Sequence, residues 1–142
     1  MVILIDTNVL LDVLQDRKPF LQESGEIIRL CGHRSVKGYM APHSVSNIFF
    51  IMRKNCSAEQ RRLLLKGLLK VIRVGGIEHE SVVEALEREE FSDFEDCLQD
   101  ECAKGIGANY IITRNVKDFE QSKVPAITPE QFLEIMEKEQ KG

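Results

Sequence analysis

The 142-residue sequence has no tryptophan, two tyrosines and seven phenylalanines. It therefore offers no evident aromatic platform on which the bases of single-stranded nucleic acid would stack. No apolar stretch approaches the length of a membrane span, since even the N-terminal run Val2–Ile5 is broken at Asp6. A basic leader and small-residue cleavage site are also lacking, so a cytoplasmic location is the expectation. Cys31, Cys56, Cys97 and Cys102 form no CxxC pair, and His33, His43 and His79 supply no complementary spacing, which argues against zinc. Small apolar fillers are the expected role of these thiols. GxGxxG and P-loop sequences are absent, which removes the usual support for dinucleotide or nucleoside-triphosphate binding.

What is present suffices for one domain, expected to span residues 1–142, with a core of its own. The formal net charge of −4 conceals a division along the chain. Between Asn47 and Arg73 stand seven basic residues (Arg53, Lys54, Arg61, Arg62, Lys66, Lys70, Arg73) against Glu59 alone. Between Glu78 and Lys104 stand eleven acidic residues against Arg88 and Lys104. A local basic surface can hold a polyanion despite an acidic total, although segregated solvated helix faces give the same pattern.

Val2–Ile5 is an unalternating apolar run, the signature of a strand covered on both faces. A short helix is expected over Val9–Leu14, with Asn8 as its cap or as a site residue. A second helix has Pro19 in its first turn and runs through Cys31. A strand near Gly38–Ala41 leads through Pro42 into a helix with Val45, Ile48, Phe49 and Met52 on one face, capped by Ser44 or Ser46. Ser57–Gln60 reads as a capping box before a leucine-rich helix, and Val71–Val74 as the next strand, ended by Gly75-Gly76. The helix that follows should turn Val82, Val83 and Leu86 inward. Ser92–Glu95 reads as a second capping box, opening a helix that runs to Gly105 or Gly107. Tyr110–Thr113, a polar loop to Asp118, a short Ala126–Thr128 strand and a helix opened by Pro129 complete the chain. Strands alternating with helices give a three-layer α/β/α fold with a mainly parallel sheet.

Asp6 closes the first strand, at the sheet edge where such folds place ligands. A carboxylate there carries a desolvation cost unless partners await it. Asp118 lies just beyond a later strand, and Asp93, Asp96 and Asp100 share one helix stripe, so Asp6, Asp118 and a helix aspartate can converge. Oxygen-rich clusters of this kind suit Mg²⁺ or Mn²⁺ and phosphate chemistry. Against that, Asp93 at a helix start favours the dipole regardless of function, Asp100 fits a solvated face, and Asp12 fits an exposed position.

The stretch Ile5-Asp6-Thr7-Asn8-Val9-Leu10-Leu11-Asp12 resembles the opening motif of PIN domains, the fold of VapC-like toxin ribonucleases. Asp93-Phe94-Glu95-Asp96-Cys97-Leu98-Gln99 is similar to the family's central acidic helix. Ile111 through Phe119 is similar to its late strand and loop. The resemblance implies Asp6, Asp96 and Asp118 as metal ligands, with Asp93 as supplement and Asn8, Thr113 and Asn115 in support. It implies an RNA substrate, with Arg53, Lys54 and Arg114 meeting phosphate, an antitoxin protein as partner, and homodimerisation. One departure stands out: Asn47 occupies the position at which many members carry a glutamate ligand. An amide oxygen coordinates hard cations but adds no charge.

Three functions follow. The first is a Mg²⁺- or Mn²⁺-dependent endoribonuclease, the toxin of a toxin–antitoxin pair. The second is a catalytically weak or inactive RNA-binding module, motivated by Asn47 and Asn115. The third is a phosphatase of the haloacid-dehalogenase type, disfavoured because its general acid would fall on Asn8. The leucine-rich Leu63–Leu69 segment holds more apolar positions than one stripe needs, so it either covers a partner or is buried within the domain.

Overall fold

In the computed structural model, residues 1–141 are described. Five strands, β1 (Val2–Ile5), β2 (Lys37–Met40), β3 (Arg73–Val74), β4 (Tyr110–Ile112) and β5 (Ala126–Ile127), form one sheet in the order β3-β2-β1-β4-β5. Every pairing is parallel. Seven α-helices cover its faces: α1 (Thr7–Leu14), α2 (Leu21–Gly32), α3 (Pro42–Ile51), α4 (Ala58–Leu68), α5 (His79–Glu87), α6 (Phe94–Gly105) and α7 (Pro129–Lys141). The three-layer α/β/α expectation holds. No helix among the described residues is long and apolar enough to cross a membrane.

The central place of β1 explains its composition. Ile3 and Ile5 point into a core shared with α1, α2, α3, α4 and α7, whereas Leu4 points to the opposite face and meets Ala103 and Cys102 of α6. All three are fully buried. Close layering is visible at Gly38, where a Cβ would stand 2.5 Å from the Cys31 Sγ of α2. The four cysteines are free thiols, three of them buried, as expected of fillers.

Several local expectations are corrected. Pro19 precedes α2 rather than opening it, and follows a cis peptide bond. Neither Ser44 nor Ser46 caps α3: its N-cap is Ala41, Pro42 takes the first turn, and the buried Ser44 hydroxyl bonds Thr7. In α5, Val83 and Leu86 are exposed and Ala85 makes the buried contact, because this helix packs mainly on α6 at the periphery. Leu65 and Leu68 of α4 are buried, but Leu63, Leu64 and Leu69 remain exposed.

Two acidic residues expected at the surface are buried ion-pair members. Asp12 is fully buried and receives the Arg114 guanidinium in a two-bonded grip, Nε to Oδ2 at 2.8 Å and Nη2 to Oδ1 at 3.1 Å. Asp100 is fully buried, accepts the backbone N–H groups of Lys123 and Val124, and pairs with Arg88 at 2.8 Å. Arg88 also holds the buried Glu101 at 2.7 Å. Such charges are tolerable inside a fold only when paired and hydrogen-bonded.

Candidate metal centre

Parallel pairing brings the carboxyl ends of the strands to one edge. Ile5 is in register with Ile112, and the Asp6 N–H continues the ladder to the Ile112 carbonyl at 2.9 Å. Asp6 and Thr113 therefore emerge side by side. The Thr113 hydroxyl donates to Asp6 Oδ2 at 2.8 Å and itself accepts the Asn115 N–H at 3.0 Å. Asp6 Oδ1 accepts Gln99 Nε2 from α6 at 2.9 Å. Both carboxylate oxygens are thus held by side chains far away in sequence, and Asp6 is 4% exposed.

A cleft of about 370 Å³ opens at this edge. Asp6, Asn8, Asn47, Asp93, Asp96, Asn115 and Asp118 all line it, together with His43, Glu95 and Gln99. Helix α1 begins at Thr7 with Asp6 as its N-cap, so Asn8 faces the cleft from inside the helix rather than capping it. The α6 cap is shifted by one residue from the expected Ser92: Asp93 is the N-cap, and its carboxylate accepts the Asp96 N–H at 3.0 Å. After Thr113, the chain closes a tight turn at Val116–Phe119, with the Asp118 N–H on the Asn115 carbonyl. Buried Phe119 anchors that turn and keeps Asp118 at the rim.

The cleft is acidic and unneutralised. Asp6, Asp93, Glu95, Asp96 and Asp118 line it, and among the described residues none has a lysine or arginine partner. The buried Asp12, Asp100 and Glu101 all have one. Burial, then the neighbouring charges of Asp93, Asp6 and Asp118, push the Asp96 carboxyl up to about 7. Burial also raises Asp6, against hydrogen bonds from Gln99 and Thr113 that lower it. His43 adds no compensating charge at neutral pH, because burial lowers its pKa.

The donors suit a hard divalent cation. Among the described residues, no three His, Cys, Asp or Glu side chains stand together as a ready-made cage. An open set of carboxylates and amides is what Mg²⁺ or Mn²⁺ uses, since these ions keep several waters and take only a few protein oxygens. Gln99 Oε1 is buried without a hydrogen-bond partner, an orphaned acceptor in the wall of the cleft. Buried polar atoms are rarely left so, and a cation-bound water would satisfy it.

Arg114 does not line the cleft, although its charge lowers the Asp6 carboxyl through space. Its guanidinium is committed to Asp12, stacks 3.9 Å from the Phe20 ring centroid and lines a separate groove with Pro19 and Pro129. That ion pair gives Arg114 a structural role. Arg53 and Lys54 are exposed, and Arg53 lies 3.6 Å over the ring of Phe50, which forms part of the cleft wall. Gln99 and Glu95 escaped sequence reading. Gln99 had one visible signal, its place three residues after Asp96 on the same helix stripe.

The PIN domain family model matches residues 2–117. No curated protein matches the chain. The fold is similar to solved structures at low identity. One is VapBC2 from Rickettsia felis bound to a promoter DNA fragment, at TM-score 0.66 and 14% identity, covering 90% of this chain and 98% of that one. Another is VapBC-1 from nontypeable Haemophilus influenzae, at 0.64 and 15%, covering 92% and 99%. A third is the sarcin-ricin loop cleaving toxin VapC20 of Mycobacterium tuberculosis, at 0.60 and 14%, covering 77% and 86%. With five parallel strands, seven helices and a family match over most of its length, the chain belongs to the PIN-domain family.

Proposed function

We propose that the protein is a metal-dependent endoribonuclease, the toxin of a toxin–antitoxin pair, hydrolysing phosphodiester bonds in single-stranded or structured RNA. One observation carries this reading. The fold pairs the buried Asp12, Asp100 and Glu101 with arginine, yet leaves the equally buried Asp6 without such a partner, in a cleft lined also by the half-buried Asp96 and the exposed Asp93, Glu95 and Asp118. Membership of a nuclease family and the toxin–antitoxin complexes among its structural neighbours support it.

Asp6 and Asp96, with Asp118 and Asp93, would hold Mg²⁺ or Mn²⁺. When bound, such an ion lowers the pKa of an attacking water and neutralises charge on the phosphate oxygens. The chain's own residues prepare the place. Gln99 and Thr113 fix both oxygens of Asp6, so that carboxylate needs little reorganisation. The Asn115–Asp118 turn closes the rim. Arg53 and Lys54 offer cations to the RNA backbone beside the cleft, a contact that positions without reading sequence. Exposed Leu63, Leu64 and Leu69 favour a protein partner on α4, an antitoxin or a second copy.

The test is cleavage of mixed RNAs in Mn²⁺ by the wild-type protein and by Asp6→Asn. Cleavage by wild type alone is expected; equal cleavage by both, or none by either, contradicts the reading. The second reading, an RNA-binding module of weak or no activity, draws on the neutral Asn47 and Asn115. It predicts RNA binding without turnover.

A further inference from the structure

The position on α3 that faces the cleft is Asn47, a neutral amide, and the structure shows what that amide does. Asn47 Nδ2 donates to Glu95 Oε2 at 3.1 Å, from α3 to the first turn of α6. One helical turn before Asn47, His43 Nε2 meets the Glu95 carbonyl oxygen at 3.1 Å. Two residues of α3 thus grip the carboxylate and the backbone of one residue of α6.

The shifted cap makes this possible. Were Ser92 the N-cap, Glu95 would be the third helical residue, and its carboxylate would fold back onto the Ser92 N–H as in a capping box. With Asp93 as N-cap, Asp96 takes that position and Glu95 is released to reach across to α3. A glutamate in a first turn gains from the helix dipole whichever way it points. That gain does not explain an amide partner 48 residues away, nor a place in the wall of a cleft already holding four other carboxylates. Independently, the buried Gln99 Oε1 in the same wall has no partner, and a water carried by a bound cation would supply one.

We infer that Glu95 is a carboxylate of the divalent-cation site, with Asn47 as its positioning residue, so that the negative charge absent from α3 is delivered from α6. This rests on the cation reading given above and names a residue to which that reading gives no ligand role. Asn47 then has no need to coordinate. Its amide holds one glutamate oxygen, leaving the other for the cation or a water bound to it.

The test is Mn²⁺ titration by calorimetry, with the free-ion paramagnetic resonance signal as a second measure, on the folded full chain with a nonhydrolysable RNA present. Glu95→Gln should weaken Mn²⁺ binding roughly 10–100-fold. Asn47→Ala should weaken it less, and adding it to Glu95→Gln should cost nothing more, because both act through one carboxylate. Glu134→Gln, an exposed charge removed from α7, should leave affinity unchanged. The double variant Asn47→Glu with Glu95→Gln, returning the acid to α3, should recover affinity.

If Asp96→Asn abolishes binding while Glu95→Gln matches wild type, this inference is overturned and the cation site stands. A Glu134→Gln effect as large as that of Glu95→Gln, or no recovery in the double variant, also overturns it. If the wild-type protein binds no Mn²⁺, both readings fall together.

Discussion

The Gln99 amide of α6 donates to the carboxylate of Asp6, the residue just after β1, at 2.9 Å, while its own oxygen has no partner. That bond ties α6 to the end of the central strand. Burial raises the Asp6 carboxyl, so Asp6→Asn removes a desolvated charge. The new amide oxygen can still accept from Thr113 or from Gln99. We predict that Asp6→Asn, tested near pH 8 without metal, is as stable as wild type or more stable by about 1 kcal/mol, raising Tm by roughly 2–4 °C. The same change should abolish cleavage. A variant that loses several degrees would mean the Asp6 charge stabilises the fold.

The raised Asp96 carboxyl gives a pH signature. Its ordinary value is 3.8, and the native fold lifts it to about 7, first through burial and then through Asp93, Asp6 and Asp118. Between those values the native state binds a proton that the unfolded chain has released. Its contribution is therefore fully present below about pH 4 and is lost as pH rises through 7. Differential scanning calorimetry without metal should show wild type losing stability relative to Asp96→Asn from pH 4 to 8. Saturating Mn²⁺ should restore wild type most at the alkaline end. Parallel pH profiles would contradict this.

Arg114 should matter for folding rather than for RNA. Removing it strands the fully buried Asp12, with Arg17 no nearer than 3.9 Å as its remaining cation. Arg114→Ala is expected to cost about 3–5 kcal/mol in urea unfolding. RNA affinity per folded molecule should not change. A stable variant with weakened RNA binding would return Arg114 to the phosphate role.

At Arg53 and Lys54 the opposite split is expected. Both are exposed, so alanine at either should leave Tm within a degree or so. Each should lower RNA affinity and reduce the slope of log affinity against log salt by roughly 0.7 per lost phosphate contact. An unchanged slope in the double variant would remove these residues from the RNA surface.

The sheet was legible because β1 is apolar without alternation and ends in a carboxylate, a pattern that only a doubly covered strand explains. The Ser57–Gln60 box was equally plain: the cap and its return bond lie three residues apart and need no tertiary partner. Asp12 and Asp100 were misjudged for the converse reason. Their burial depends on Arg114 and Arg88, and nothing local shows which arginine a carboxylate will meet. The motif residues Asp6, Asp96 and Asp118 did reach one cleft. Glu95 and Gln99 could not be read, because their roles depend on where α6 begins and how α3 crosses it. A one-residue shift of cap, from Ser92 to Asp93, turned Glu95 from a helix-stabilising residue into one that reaches another helix. The neutral Asn47 looked like a defect of the site for the same reason.

The most direct test of the account is the anomalous difference map of a crystal soaked in Mn²⁺. The account predicts a manganese peak in the cleft, bonded to oxygens of Asp6 and Asp96 and bordered by Glu95 and Asp118. A cleft without a peak, at a Mn²⁺ concentration that supports RNA cleavage in solution, would contradict it.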